Sequence, residues 1–151
     1  MNDSSRPTPE RLRTLPSRLL AIAASQGDRL VGEGLSAVGA RKWHYAVLTS
    51  LQEYGPASQA ELSRRAGIYR SDMVAVLNEL ADGGHVERTP DRDDRRRNVI
   101  TITARGRRRV DTLDGLIDTI QGELLAPLDA AERAELVRLL TVLVAHHGDG
   151  M

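Results

Sequence analysis

Residues 91–98 place the strongest constraint on this chain, because they hold four arginines and three aspartates in eight positions. Short runs of β-forming residues flank the segment at 85–89 and at 99–103. A guanidinium is too costly to bury in a protein core, so the segment must lie in solvent or on an anionic surface. The pattern therefore predicts a β-hairpin with an arginine-rich tip.

A helix–turn–helix pattern ends directly before this hairpin. Ser58, with Glu61 three residues later, forms a capping box that starts a helix, and Gly67 ends that helix. A second helix is predicted over about 70–82, and its apolar face contains Met73, Val76, Leu77 and Leu80. A helix pair followed at once by a strand, a basic tip and a second strand predicts a winged helix that contacts DNA.

Helical periodicity surrounds this central unit. Thr14 is predicted to cap a first helix that reaches about residue 35, and a second helix is predicted over 40–54. Beyond the hairpin the pattern is helical again until Pro127 interrupts it, and Asp129 is predicted to cap the last helix. The expected fold is therefore mainly α with a small β-hairpin wing.

We expect one chain with two functional lobes. Residues 1–13 are polar and are predicted to be a flexible tail of a single unit over 14–151. The winged helix–turn–helix lobe is expected over 40–104, and a helical lobe is expected from 14–36 together with 105–147. The leucine-rich terminal helices exceed what a small winged-helix core can cover, which predicts that they form a homodimer.

The charge of the chain is unevenly distributed although the net charge is zero. Residues 85–109 hold nine arginines and four acids, whereas residues 110–151 hold eight acids and two arginines. A phosphate responds to charge within about one Debye length, roughly 8–10 Å in physiological salt. The basic hairpin region is therefore compatible with double-stranded DNA as a partner.

Composition and motifs exclude several other classes. The chain has no cysteine, which excludes disulfides, thiolate metal sites and cysteine-based redox sensing. It has no glycine-rich phosphate loop and no nucleophile with an evident base, so we expect neither an enzyme nor a bound cofactor. The first 16 residues lack an apolar run, and no stretch approaches the ~20 apolar residues of a membrane span. We therefore expect a cytoplasmic protein that does not contact a membrane.

The order and spacing of these features resemble the MarR (multiple antibiotic resistance regulator) family of bacterial transcription factors over about residues 15–147. The resemblance is carried by residues 58–62, 68–71, 77–80, 86–88, 91–98 and 101–106. It implies a winged-helix homodimer that represses transcription from a palindromic operator and is often released by a small phenolic or acidic molecule. Two positions depart from the family pattern. Bulky Tyr69 replaces a short polar residue, and Asn78 replaces an acid that pairs with a wing arginine, so this contact can at most be a hydrogen bond.

The predicted DNA contacts fall on three elements. The second helix of the pair would enter the major groove, where Arg70 either forks onto guanine or only holds a phosphate. The start of the first helix would face a phosphate with its free amides. The predicted DNA-contacting residues are Ser58, Gln59, Tyr69, Arg70, Ser71, Val74, Ala75, Asn78, Arg92, Arg95 and Arg97. Tyr69 either bonds a phosphate or covers the turn, and the resemblance implies that Arg96 braces the wing through Asp94.

An effector site is expected between the helical lobe and the DNA-binding lobe. Its candidate residues, clustered on the first two helices, are Arg18, Arg41, Trp43, His44 and Tyr45. An arginine beside an aromatic side chain suits an aromatic carboxylate, but Trp43 is alternatively a core anchor and His44 a surface or interface residue.

Two other functions remain open at this point. A metal-responsive regulator would use the four histidines His44, His85, His146 and His147, but adjacent His146 and His147 point about 100° apart on a helix and make poor shared ligands. A winged helix that binds a protein partner, without an effector, is the other alternative. No metal site is predicted.

Overall fold

A computed structural model describes residues 7–148. Its helices are α1 (Glu10–Arg13), α2 (Pro16–Ser36), α3 (Lys42–Tyr54), α4 (Gln59–Ala66), α5 (Arg70–Asp82), α6 (Ala104–Leu124) and α7 (Ala130–His147). Its strands are β1 (Ala57–Ser58), β2 (Val86–Pro90) and β3 (Asn98–Ile102). The predicted class, mainly α with a hairpin wing, is confirmed. Within the described residues, no helix has both the length and the apolar character needed to cross a bilayer.

The strands form one antiparallel sheet in the order β1-β3-β2. β2 and β3 form the predicted hairpin, with Arg88 opposite Ile100. The sequence pattern did not predict β1, because two residues are too short to show alternation. β1 pairs Ala57 with Ile100 and Ser58 with Val99. This pairing attaches the start of α4 to the inner strand of the wing.

One apolar core holds the winged helix together. The inner face of α5 is buried as predicted, and Leu77 and Met73 are fully inaccessible to solvent. The rest of this core comes from α3, α4 and the sheet, and includes Val47, Leu48, Leu51, Leu62, Ile68, Val86, Ile100 and Ile102. Burying aliphatic side chains of this size contributes about 1.5–3 kcal/mol each. The outer face of α5 and the hairpin are therefore supported by a close-packed apolar core.

A second, smaller core joins the helical lobe to the winged helix. It consists of Leu35, Ala40 and Leu113, with Tyr45 of α3 packed against it. Along the same contact, α2 lies on α6 and Gly34 faces Ile120, where an added Cβ would come within 2.4 Å of the Ile120 Cδ1 atom. The absence of a side chain at Gly34 allows the two helices to approach closely.

The N-terminal prediction requires two corrections. Part of the predicted flexible tail, Glu10–Arg13, forms one helical turn, while residues 1–6 of that tail lie outside the described residues. Thr14 does not cap α2. It follows α1, and Leu15 takes the N-cap position with Pro16 in the first turn. Proline at N1 already has the helical φ angle and needs no amide bond, so the helix starts without a side-chain cap.

Candidate nucleic-acid interface

The turn between α4 and α5 has the geometry of a helix–turn–helix. The Ser58 hydroxyl accepts a hydrogen bond from the Glu61 amide at 3.2 Å and caps α4 as predicted. The reciprocal bond from the Ser58 amide to the Glu61 side chain, which would complete the predicted capping box, is not among the hydrogen bonds of the described residues. Gly67 ends α4 in the left-handed region, at φ 65°, which a residue with a side chain rarely adopts. Tyr69 precedes α5 without a side-chain capping bond and is 81% exposed, so it does not cover the turn.

The outer face of α5 is free of protein contacts over most of its length. All five residues predicted to face DNA on this helix are exposed, namely Arg70, Ser71, Val74, Ala75 and Asn78. The exposed Val74 is an apolar side chain on an otherwise polar surface, and it provides methyl groups suited to the thymine methyl. The face therefore combines one cation, hydroxyl and amide groups, and small apolar groups.

Asn78 has a second role that bears on its predicted DNA contact. Its amide oxygen accepts a hydrogen bond from the Arg88 Nη2 atom of β2 at 2.7 Å. The hydrogen bond expected at this position, in place of the family's ion pair, is therefore present. It connects α5, the helix predicted to enter the major groove and called the recognition helix below, to the wing. It also occupies the amide oxygen that a base would otherwise contact.

The wing loop is shaped by its aspartates and its backbone. The Asp91 amide donates to the Arg97 carbonyl at 2.8 Å and closes the loop. The Asp94 carboxylate accepts a hydrogen bond from the Arg96 amide at 3.1 Å, as expected of a residue that structures the wing. The Arg96 side chain pairs with Asp94, as the resemblance implied, but only loosely: its Nε atom lies 4.0 Å from the carboxylate, and the side chain is 95% exposed. So exposed an ion pair contributes little to holding the loop.

A basic concavity lies between the two helix starts and the base of the wing. It has a volume of about 360 Å³, and its lining residues are Ser58, Gln59, Ala60, Arg70, Arg96, Arg97 and Asn98. Three arginines and no acid face this space, beside the free amides of the α4 N-terminus. Such a combination favours a phosphate group. The sequence pattern predicted Ser58, Gln59, Arg70 and Arg97 for this surface, but it missed Asn98 and gave Arg96 another role. We call this surface the basic cleft.

The remaining predicted wing cations, Arg92 and Arg95, lie outside the basic cleft. Both are exposed in the loop, and none of the hydrogen bonds or ion pairs among residues 7–148 involves their side chains. The tip of the wing thus presents two cations beyond those at its base.

The five predicted effector residues do not line one cavity. Arg41 and His44 both bind Glu79 of α5: Arg41 at 2.7 and 2.9 Å, and His44 at 2.5 Å. Trp43 is half-buried against the winged-helix core, and none of the described hydrogen bonds or ion pairs involves Arg18. Within one chain these side chains therefore point to different neighbours, because α3 directs adjacent residues to different faces. The effector site between the lobes stays a prediction.

Tyr45 connects the two lobes. Its hydroxyl donates to the Asp114 carboxylate of α6. This hydrogen bond, burial of the ring and the negative charge of Asp114 together raise the pKa of Tyr45. Tyr45 therefore stays protonated and serves as a donor between α3 and α6.

No metal site is evident among residues 7–148. No three His, Asp or Glu side chains come together there in an arrangement that could hold a metal ion. His44 and His85 line a cavity at the C-terminal end of α5, where His44 contacts Glu79. The distribution of these histidines gives no support to a metal-responsive regulator.

Comparison with known proteins gives one consistent family. The MarR family model matches residues 34–97. The transcriptional repressor Rv2887 of Mycobacterium tuberculosis strain H37Rv is 31% identical over 113 residues, which cover 75% of this chain and 81% of the relative. The structure of an Escherichia coli MarR variant with operator DNA has a TM-score of 0.75 at 25% identity and covers 91% of this chain and 99% of that one.

A ligand-bound regulator is also similar. The PcaV regulator of Streptomyces coelicolor, in complex with its natural ligand, has a TM-score of 0.76 at 26% identity and covers 93% of this chain and 98% of that one. The sequence motifs, the winged helix–turn–helix and these similarities lead to the same assignment: the chain belongs to the MarR family of transcriptional regulators.

Proposed function

We propose that this protein is a transcriptional repressor that binds a palindromic DNA operator as a homodimer. The observation that carries the proposal is the basic cleft, where three arginines line the space in front of the α4 N-terminus and no acid does. The Escherichia coli relative whose structure contains operator DNA supports the same mode of binding. The relative named a transcriptional repressor supports repression.

In this proposal the two parts of the interface have different tasks. Arg70 and the exposed face of α5 read bases in the major groove, and Ser58 and Gln59 hold a phosphate. The exposed wing cations Arg92, Arg95 and Arg97 contact phosphates or the minor groove, whose narrow sections attract arginine. Arg96 joins this group, because its guanidinium is 95% exposed and lines the basic cleft.

A homodimer would place two such interfaces on successive half-sites. The support is α7, which has no buried residue, and the large apolar side chains that it exposes. Half-sites one helical turn apart are separated by about 34 Å. Two-fold symmetry of the protein then requires a palindromic operator.

We further propose that a small aromatic or acidic molecule releases the repressor from DNA. The PcaV structure with its natural ligand supports an effector in a related fold. Of the residues predicted for it, Trp43 and Tyr45 stay candidates near the contact of α3 with the helical lobe, and Arg18 stays a candidate on α2.

The proposal is tested by comparing arginine variants on two duplexes. Binding is measured by fluorescence anisotropy on DNA flanking the gene and on a random duplex, at several salt concentrations. We expect Arg70→Ala to lose about 1–3 kcal/mol on the specific duplex only. Arg95→Ala and Arg97→Ala should weaken binding to both duplexes and lower the salt slope by about 1 each. Arg138→Ala on α7 serves as the control, which should change neither the affinity for either duplex nor the salt slope.

The alternatives predict different results. Equal losses on both duplexes for Arg70→Ala would remove its base-reading role. Binding that does not respond to salt would contradict DNA as the partner and favour a protein-interaction module. Operator affinity that changes on addition of zinc would instead favour the metal-responsive regulator.

A further inference from the structure

Asn78 lies near the middle of the exposed face of the recognition helix. It follows Val74 by four residues and Ser71 by seven, so the three side chains lie along one side of α5. Asn78 is exposed, and it is the one side-chain amide in the sequence of this helix. Eight residues separate it from Arg70, which is about 12 Å along the helix axis. The two side chains would therefore meet different base pairs.

The partner of Asn78 determines which way its amide faces. Arg88 on β2 donates from its Nη2 atom to the Asn78 Oδ1 atom at 2.7 Å. A guanidinium has five N–H donors and no acceptor, so only the oxygen of the amide can bond to it. The opposite orientation would bring two donor groups together and leave the charge of Arg88 unpaired. The chemistry of Arg88 therefore fixes the orientation of the amide.

The Asn78 Nδ2 group is left as the part of the amide that can meet DNA. It carries two N–H donors, and none of the hydrogen bonds within residues 7–148 uses them. The oxygen keeps a second lone pair, but the positive charge beside it repels a further N–H donor. Arg88 thus converts an asparagine, which can both donate and accept, into a side chain that only donates.

The four bases differ in what they offer such a donor in the major groove. An unconstrained asparagine pairs with adenine, where its oxygen accepts from N6 and its nitrogen donates to N7. Cytosine presents an N4 donor, and thymine presents one acceptor beside a methyl group. Guanine presents two acceptors, O6 and N7, and no donor. A side chain that only donates therefore matches guanine and loses the paired contact with adenine.

We propose that Arg88 sets the base preference of Asn78, so that Asn78 selects guanine over adenine at one base pair of each half-site. Arg88 is a positioning residue in this recognition, because it acts on the base through Asn78. The hydrogen bond between the two residues belongs to the chain itself, whereas its effect on base preference rests on the proposed function.

Selection from a randomised duplex library tests this preference without a known operator. The unmodified protein should enrich sites with guanine at one position where Asn78→Ala shows no preference. Replacing that guanine by 7-deazaguanine removes the N7 acceptor and should weaken binding about three- to tenfold. Inosine keeps O6 and N7, so it should bind as guanine does. Asn78→Ala should bind all three duplexes equally.

Two further substitutions should change the selected base in different directions. Arg88→Ala frees the amide, so the affinity ratio of guanine to adenine should fall about tenfold in favour of adenine. Asn78→Asp keeps a partner for Arg88 but presents only acceptors, so its preference should move towards cytosine, whose N4 group donates. Arg95→Ala is the matched control, because it removes an exposed wing arginine and leaves Asn78 bonded to Arg88. It should lower affinity for all sequences and keep the guanine preference.

The outcomes separate this inference from the proposed function. If Asn78→Ala and Arg88→Ala both keep the guanine preference, the inference is overturned while DNA binding stands. If Arg88→Ala only lowers affinity evenly, as Arg95→Ala does, Arg88 contacts the DNA backbone and does not set the preference of Asn78. If the unmodified protein enriches no sequence at all, sequence-specific binding itself fails, and the base preference fails with it.

Discussion

Asn78 and Glu79 are neighbours on α5 whose side chains contact different elements of the fold. Asn78 accepts a hydrogen bond from Arg88 on the wing, and Glu79 binds Arg41 and His44 at the start of α3. Exposed polar pairs of this kind contribute little to global stability, commonly about 0–1 kcal/mol. Their main effect is to fix the orientation of the recognition helix relative to the wing and to α3.

The Asn78–Arg88 hydrogen bond should therefore affect operator binding more than stability. We expect Asn78→Ala and Arg88→Ala each to weaken operator binding about three- to tenfold, from loss of one charge-assisted bond. The double variant should lose less than the product of the two effects, because both remove the same bond. Fluorescence anisotropy measures operator affinity, and urea unfolding measures the free energy of unfolding. Independent effects in the double-mutant cycle would mean that Asn78 acts on DNA without Arg88.

The Glu79 cluster should give the fold an acid-sensitive contribution. Burial raises the pKa of Glu79, but the hydrogen bond from His44 and the charge of Arg41 outweigh it, so the pKa lies below the ordinary 4.5. A depressed carboxyl pKa adds stability above the unfolded value, and that stability is lost as the pH falls through the folded value. Glu79→Gln should thus be less stable than the unmodified protein at neutral pH and converge with it in acid.

Urea denaturation midpoints measured at neutral pH and in acid test this convergence. Glu53 is an exposed acid on α3, and its Glu53→Gln variant is the control whose stability should follow that of the unmodified protein at both pH values. A constant difference between Glu79→Gln and the unmodified protein would mean that the carboxylate charge does not contribute. The effect should be modest, since the Glu79 side chain is 44% exposed and solvent screens the pair.

At the residue scale, the sequence predicted roles that depend on local pattern. The exposed face of α5 follows from helical spacing, and the Asn78 hydrogen bond follows from the family pattern. The pairing of Glu79 with Arg41 joins residues 38 positions apart, which no local spacing can indicate. The Arg96 guanidinium is the one beside Asp94, as the resemblance implied, but no local pattern could indicate how loose and exposed that pair is.

At the scale of elements, the start of α6 is a tightly packed junction. Thr103 caps this helix by accepting a hydrogen bond from the Gly106 amide at 3.0 Å. Gly106 lies against His85, the residue directly before β2, where an added Cβ would come within 2.2 Å of the His85 carbonyl oxygen. The junction attaches the long helix of the helical lobe to the base of the wing.

Gly106→Ala should therefore destabilise the fold although alanine is the better helix former. We expect a loss of about 1–3 kcal/mol from overpacking against backbone that cannot yield. Gly115→Ala, on the same helix with nothing within 4 Å, should instead gain up to about 1 kcal/mol. Thermal or urea unfolding measures the free energies of unfolding of the two variants. Equal stabilisation by both substitutions would mean that Gly106 does not pack on the His85 carbonyl as described.

Capping residues explain why some elements were predicted and others were not. Ser58 and Asp129 place side-chain oxygens at the starts of α4 and α7, and both helices begin where these residues predict. α2 begins at a proline without such a cap, so the sequence assigned its start to Thr14. β1 depends entirely on its partner β3, and a contact between distant strands leaves no signal in a two-residue segment.

At the scale of the whole molecule, the winged helix and the last helix differ in burial. The winged-helix core buries residues from α3, α4, α5, α6 and the sheet. α7 buries none, although Val137, Leu139, Val142, Leu143 and Val144 are large apolar side chains. Exposed large apolar side chains in this number usually mark an interaction surface. In the proposed homodimer, a second copy of the chain would cover them and would also supply the second DNA-binding unit that a palindrome requires.

Negative charges at exposed apolar positions of α7 should prevent dimerisation without unfolding the winged helix. Leu139 and Leu143 lie one helical turn apart and are 47% and 44% exposed. The double variant Leu139→Glu with Leu143→Glu should keep the winged helix folded but reduce the mass in light scattering from twice 16.5 kDa to 16.5 kDa. Operator affinity should fall about a hundredfold or more, because each half-site is then bound independently. Gln52→Glu, at an exposed position of α3, should remain dimeric, and a monomeric mass for the unmodified protein would contradict the dimer outright.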